Sequence, residues 1–135
     1  MSFLVSAQEI NWMSIEEAEK MQIENPEKSL FITVYTDWCG FCKKMDNSTF
    51  KDKELVSFVN NYFIPVRLDA EQKESITFRN QTFEYKQVGR RGVHELAAAL
   101  LQGQMSYPSV VIINQDQITH IFKGYMEANE LMNGF

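Results

Sequence analysis

The chain's two cysteines, Cys39 and Cys42, stand three positions apart in the run Trp38-Cys39-Gly40-Phe41-Cys42. An apolar stretch rich in β-formers, with Phe31, Ile32, Val34 and Tyr35, precedes them, so residues 30–35 read as a buried strand. From Gly40 onward the chain reads as a helix. Cys39 would then sit at the helix start, where unpaired backbone N–H groups and the helix dipole favour a negatively charged sulfur, which makes it the candidate nucleophile. Cys42 lies nearly one helical turn further on, at a separation a disulfide can close. The chemistry this pair supports is a reversible dithiol/disulfide couple. Lys43 and Lys44 would electrostatically favour a thiolate, although two lysines here equally form a solvated helix face. Asp37 reads as capping or solvating the junction rather than acting as a base.

A lone C-x-x-C is also half of a structural zinc site, with His94 and His120 as the other ligands. Their spacing argues against it, since one falls in the first turn of an expected helix and the other on an expected strand, far outside the H-x₃₋₅-H pattern. No metal and no other cofactor is expected, and both histidines read as surface or rim residues. A net charge of −5, with no basic run longer than a pair, excludes an electrostatic partner such as a phosphate backbone. Two cysteines cannot staple a small scaffold, and 135 residues with 44% apolar and 13% aromatic content need no staple. The expectation is one domain over residues 1–135, with no stretch of transmembrane length. Residues 1–8 read either as a frayed terminus or as the remnant of an export signal, because Val5-Ser6-Ala7 is a small-residue cleavage context before Gln8. The second reading favours an exported, periplasmic protein, with a cytoplasmic one as the alternative.

Several elements must position the cysteines. Residues 9–13 read as a first strand, and Ser14 with Glu17 forms an S-x-x-E capping box for a helix whose inner face is Ile15, Ala18 and Met21. Asn25-Pro26 ends it. The helix after Gly40 runs to about Ser48, and Asp52 caps another carrying Leu55, Val56, Phe58 and Val59. Residues 62–68 form the third strand, where Pro65 implies an edge, a bulge or a strand end. The long segment that follows must contain elements of its own. Ile76, Phe78, Phe83 and Tyr85 flank Arg79-Asn80-Gln81 as a β-hairpin. Gly89-Arg90-Arg91-Gly92 reads as a turn rather than an anion site ahead of a helix N-terminus. Val93, Leu96, Ala97, Leu100 and Leu101 make an amphipathic stripe, with Gly103 at the C′ position. Residues 109–114 are a continuous apolar strand, 118–122 return antiparallel, Gly124 breaks the pair, and 127–135 form a last helix with Leu131 and Met132 inward.

This order of elements, with WCGFCKKM after the second strand and Tyr107-Pro108 before an apolar strand, resembles the thioredoxin superfamily over nearly the whole chain. Thr49-Phe50-Lys51-Asp52 and Phe63-Ile64-Pro65-Val66 make it most similar to bacterial, often exported, thioredoxin-like proteins of disulfide reduction and cytochrome c maturation. The resemblance implies an α/β thioredoxin fold, a central mixed sheet flanked by helices, with an inserted hairpin-containing segment over 70–92 ahead of a cis-proline. It implies a thiol-disulfide oxidoreductase, in the reducing direction, acting on protein disulfides and recharged by an upstream dithiol protein. Cys39 would attack, Cys42 would resolve the mixed disulfide, and Trp38, Gly40, Phe41, Tyr107 and Pro108 would contact substrate. The alternative is a non-catalytic binding module that uses the Tyr107-Pro108 groove. Two residues depart from the family pattern. Phe41 replaces thioredoxin's proline, which leaves the reduction potential open over roughly −270 to −120 mV. Thr33 stands where thioredoxin has a buried acid that helps deprotonate the resolving thiol.

Overall fold

The computed structural model describes residues 8–115 and 117–135, with Val88 by its backbone alone. The expectation for residues 1–8 therefore lies outside the described residues except for Gln8. Ser14 opens the first helix as its sequence implies, accepting the Glu17 N–H at 3.2 Å and donating to Oε1 of Glu17 at 3.1 Å. Helix α1 spans Ile15–Glu24, followed by strand β1, Ser29–Tyr35. Helix α2 (Gly40–Asn47), a 3-10 turn (Thr49–Lys51) and α3 (Lys53–Tyr62) come next. Asp52 caps α3 by accepting the Leu55 N–H at 3.0 Å. The chain continues through β2 (Phe63–Asp69), β3 (Ile76–Phe78), β4 (Gln81–Phe83), β5 (Tyr85–Val88) and β6 (Arg91–His94). Helix α4 (Glu95–Leu100), strands β7 (Ser109–Ile113) and β8 (Ile118–Lys123), and helix α5 (Ala128–Asn133) complete it.

The central sheet runs β2-β1-β7-β8, with β1 parallel to β2 and antiparallel to β7. Side chains alternate across β1, so Leu30, Ile32 and Val34 enter a core shared with α1, α4 and β3, while Phe31 enters one shared with α2, α3 and α5. Helices therefore cover both faces, which is why the inner residues of β1 and all of β7 are buried without alternation. Pro65 lies on the edge strand β2, where a missing N–H costs the ladder least.

Five local expectations need correction. Residues 9–13 form no strand; only Met13 bridges Val66. The Asn60 side chain holds the Glu9 carbonyl at 2.8 Å and the Asn11 N–H at 3.0 Å, and Trp12 N–H turns back on Ile10 at 2.9 Å, so these groups are taken from any ladder. The third helix-face residue of α1 is Gln22, not Met21, which is 42% exposed. Gln22 is buried because its amide donates to the Lys28 and Ile113 carbonyls. The 70–92 segment carries two hairpins rather than one, and Val93 and His94 end the second instead of starting a helix. The apolar stripe at Leu96, Ala97, Leu100 and Leu101 does face the core. Its C′ residue is Gln102, at φ 54°, with Gly103 one place later donating to the Ala98 carbonyl. Finally, His94 is fully buried rather than at a rim. Its Nδ1 accepts the Leu96 N–H at 3.2 Å, which leaves Nε2 to donate to the Glu74 carbonyl at 3.0 Å.

Candidate active site

Strand register brings the separated motifs to one end of the sheet. Val34 of β1 faces Ser109 of β7 in the antiparallel pair, so the residues just after β1 meet those just before β7. Tyr35 faces Asp69 across the parallel pair, and the Ala70 N–H donates to the Tyr35 carbonyl at 2.8 Å, so the chain leaving β2 reaches the same end. The Tyr107–Pro108 bond there is cis, and the Pro108 carbonyl accepts the Gly124 N–H at 2.7 Å.

Cys39 and Cys42 are disulfide-bonded, with Cα atoms 5.2 Å apart and exposures of 5% and 4%. Cys39 is the N-cap of α2 in extended conformation, and its sulfur accepts the Cys42 N–H at 3.1 Å. An orphan donor of the first helical turn thus points at the Cys39 sulfur. Lys43 and Lys44 lie on the exposed face, with Lys44 Nζ 4.7 Å from the centroid of the Tyr125 ring. No group of three or more His, Cys, Asp or Glu residues among the described ones is placed to hold a metal ion.

Trp38 and Phe41 stand exposed beside the disulfide. The Phe41 ring lies 6.4 Å from Tyr125. Trp38 makes an edge contact with Tyr107 at 6.1 Å, and its Nε1 donates to Oε1 of Glu71 at 3.0 Å. The Arg91 guanidinium from β6 packs over the indole at 4.8 Å. Of these neighbours, Glu71 and Tyr125 carry no sequence mark of a site role, and Arg91 is marked only within a Gly-Arg-Arg-Gly turn; the fold brings them to Trp38 and Phe41. The Asp69 carboxyl is raised above its ordinary value by burial first, with Asp37, Glu71 and Glu74 adding, against the lowering effect of the Glu71 N–H that Asp69 Oδ1 accepts at 2.9 Å. Burial, then the charges of Glu71 and Asp69, raises the Tyr107 phenol. Thr33 is buried in β1, so no carboxylate occupies that position, and the Thr36 hydroxyl is buried without a hydrogen-bond partner.

Comparison with known proteins bears on the family and the fold. A family model described as a thioredoxin-like domain matches residues 15–133. A candidate disulphide-isomerase from Bacteroides thetaiotaomicron superposes with a TM-score of 0.65 at 25% identity, over 96% of this chain and 92% of that one. The DsbH oxidoreductase does so at 0.63 and 18%, over 99% and 88%. The DsbD C-terminal domain of Neisseria meningitidis in its reduced form gives 0.59 and 20%, over 88% of each chain. In sequence, an uncharacterized protein from Archaeoglobus fulgidus is 28% identical over 64 residues, 47% of this chain and 50% of that one, so the chain spans about half the length of the curated relative it matches.

Proposed function

The chain belongs to the thioredoxin-like domain family, and on that premise we propose that it is a thiol-disulfide oxidoreductase that reduces protein disulfides. The observation that carries the reading is the Cys39–Cys42 disulfide at the N-terminus of α2, with the Cys42 N–H on the Cys39 sulfur. In the reduced protein the Cys39 thiolate attacks one sulfur of a substrate disulfide. A bond forms between Cys39 and that sulfur, the substrate bond breaks, and the other substrate sulfur leaves as a thiolate that takes a proton from water. Cys42, on losing its proton, attacks Cys39. The substrate departs with both sulfurs reduced, and the protein keeps the Cys39–Cys42 disulfide. A second dithiol protein must reduce that disulfide for another turnover. Trp38, Gly40, Phe41, Tyr107 and Pro108 would receive the substrate polypeptide around the exchanging sulfurs.

The test is insulin-disulfide reduction with dithiothreitol as donor. Cys39→Ser should abolish turnover, and Cys42→Ser should accumulate mixed disulfides with substrate; unimpaired turnover by Cys39→Ser would sink the mechanism. The buried Thr33, in place of a carboxylate, favours a second reading, a binding module that holds a disulfide without turning over. A wild-type rate no faster than that of dithiothreitol alone would select it.

A further inference from the structure

We propose that the β5–β6 hairpin adds a side-chain subsite to the exchange site: the cleft lined by Trp38, Tyr107, Val93 and Met105, with Arg91 packed on the Trp38 indole, takes an apolar side chain of the substrate polypeptide, next to the cysteine being exchanged. This rests on the exchange reading above and specifies its substrate. The cleft measures about 440 Å³, and Met105, from the loop before Tyr107, lines it as well. Its walls are an indole, a phenol ring, a thioether and a valine. Trp38 and Met105 remain 53% and 39% exposed, so apolar surface is left open on the side of the disulfide that the hairpin faces. The charged groups at its rim are already engaged. Glu71 accepts the indole N–H, and Arg91 lies on the indole face, so neither calls for a charged ligand.

A polypeptide fits better than a small molecule because of the main chain beside the cleft. Tyr107 precedes the cis peptide bond, and neither of its main-chain groups takes part in a turn or loop hydrogen bond. An extended segment pairing with it presents successive side chains to opposite sides. When one of these carries the exchanging sulfur toward Cys39, a neighbour falls beside Tyr107 and Trp38, into the cleft. Backbone pairing recognises any extended chain, whereas the wall supplied by Arg91 and Val93 can tell one side chain from another.

The reduced full-length protein should be assayed against three otherwise identical peptides, each a mixed disulfide with glutathione, carrying Phe, Gly or Glu beside the cysteine. The expected result is a second-order rate about tenfold higher for the Phe peptide than for the Gly peptide. Arg91→Ala and Met105→Ala, both at exposed positions, should each lower that ratio by about a factor of three. Equal rates for Phe and Gly, a preference for Glu, or a Phe preference that survives in both variants would overturn the subsite. Absence of exchange with all three peptides would instead overturn the oxidoreductase reading on which it rests.

Discussion

The two hairpins inserted between β2 and α4 each connect their strands through two residues, the first with strands of three residues and the second with strands of four, yet they are held by different means. The β3–β4 hairpin is part of the core. Ile76 and Phe78 are buried with α1 and β2, and its turn places Arg79 and Asn80 at φ 53° and 63°, the pair of positive angles a type I′ turn demands. An arginine tolerates that backbone here because its surroundings over-determine it. The Arg79 N–H donates to Glu19, and its guanidinium donates to Gln22 and to the carbonyls of Asn114 and Gln115 while covering the Phe78 ring. Among the described residues, the β5–β6 hairpin takes its hydrogen bonds to the rest of the chain at its base, from His94 and from Glu95, whose N–H donates to the Glu84 carbonyl, and Arg91 rests on the Trp38 indole. Its tip is exposed, with Gly89 at φ 66° where a type II′ turn wants glycine, and Gly92 leaves room for the Tyr85 ring to lie across it. One hairpin thus contributes to stability, and the other extends a surface toward Trp38.

Opposite substitutions should expose the contrast. Phe78→Ala removes a buried ring and is expected to cost about 3–5 kcal/mol. Arg91→Ala, at an exposed position, should stay within about 0.5 kcal/mol. Urea unfolding measures both, and similar losses would erase the distinction between the hairpins. An effect between these two is expected at the base of β5–β6. His94→Ala removes the cap of α4 and the bond to the Glu74 carbonyl, for about 1–3 kcal/mol, while His94→Asn should recover the capping part. If Asn recovers nothing, the cap is not what the imidazole contributes.

The smallest effect concerns Asp69, at the end of β2 from which the insertion departs. Its folded-state pKa lies above the ordinary 3.8, so the folded protein keeps a proton that the unfolded chain has released. Stability contributed by this group therefore falls as pH rises through a window that opens near 3.8 and closes above the raised folded value. Asp69→Asn keeps an oxygen for the Glu71 N–H and removes the charge. Relative to wild type, its stability should rise across that window, measured by urea unfolding from about pH 3 to pH 7; parallel curves would show that burial does not disfavour the carboxylate.

Features that depend on near neighbours were readable in advance. The Ser14 capping box, the Asp52 cap, the strand before Cys39 and the stripe of α4 are each written within a few residues. The hairpin turn at Arg79-Asn80 could be placed, though not its I′ geometry, because arginine gives no sign that it will accept a positive φ. Met21 was misjudged for a related reason. Periodicity favours the apolar residue, but two distant carbonyls and Arg79 satisfy the amide and admit it to the core. His94 misled in the same way: a polar ring reads as exposed until both of its nitrogens find partners.

What the sequence by itself determined is the placement of Cys39 and Cys42 and most of the elements that carry them. Two thiols one turn apart at a helix start can close a disulfide through local geometry alone, while the mixed sheet followed from the resemblance of the whole order of elements to a known fold. Only the tertiary structure decided what stands around that couple. Trp38 meets Glu71, Tyr107 and Arg91 because parallel and antiparallel register bring the ends of β1, β2 and β7 together and because the second hairpin folds back over them. Contacts of that kind depend on strand register and loop path across the whole sheet, and no short stretch of the chain encodes them.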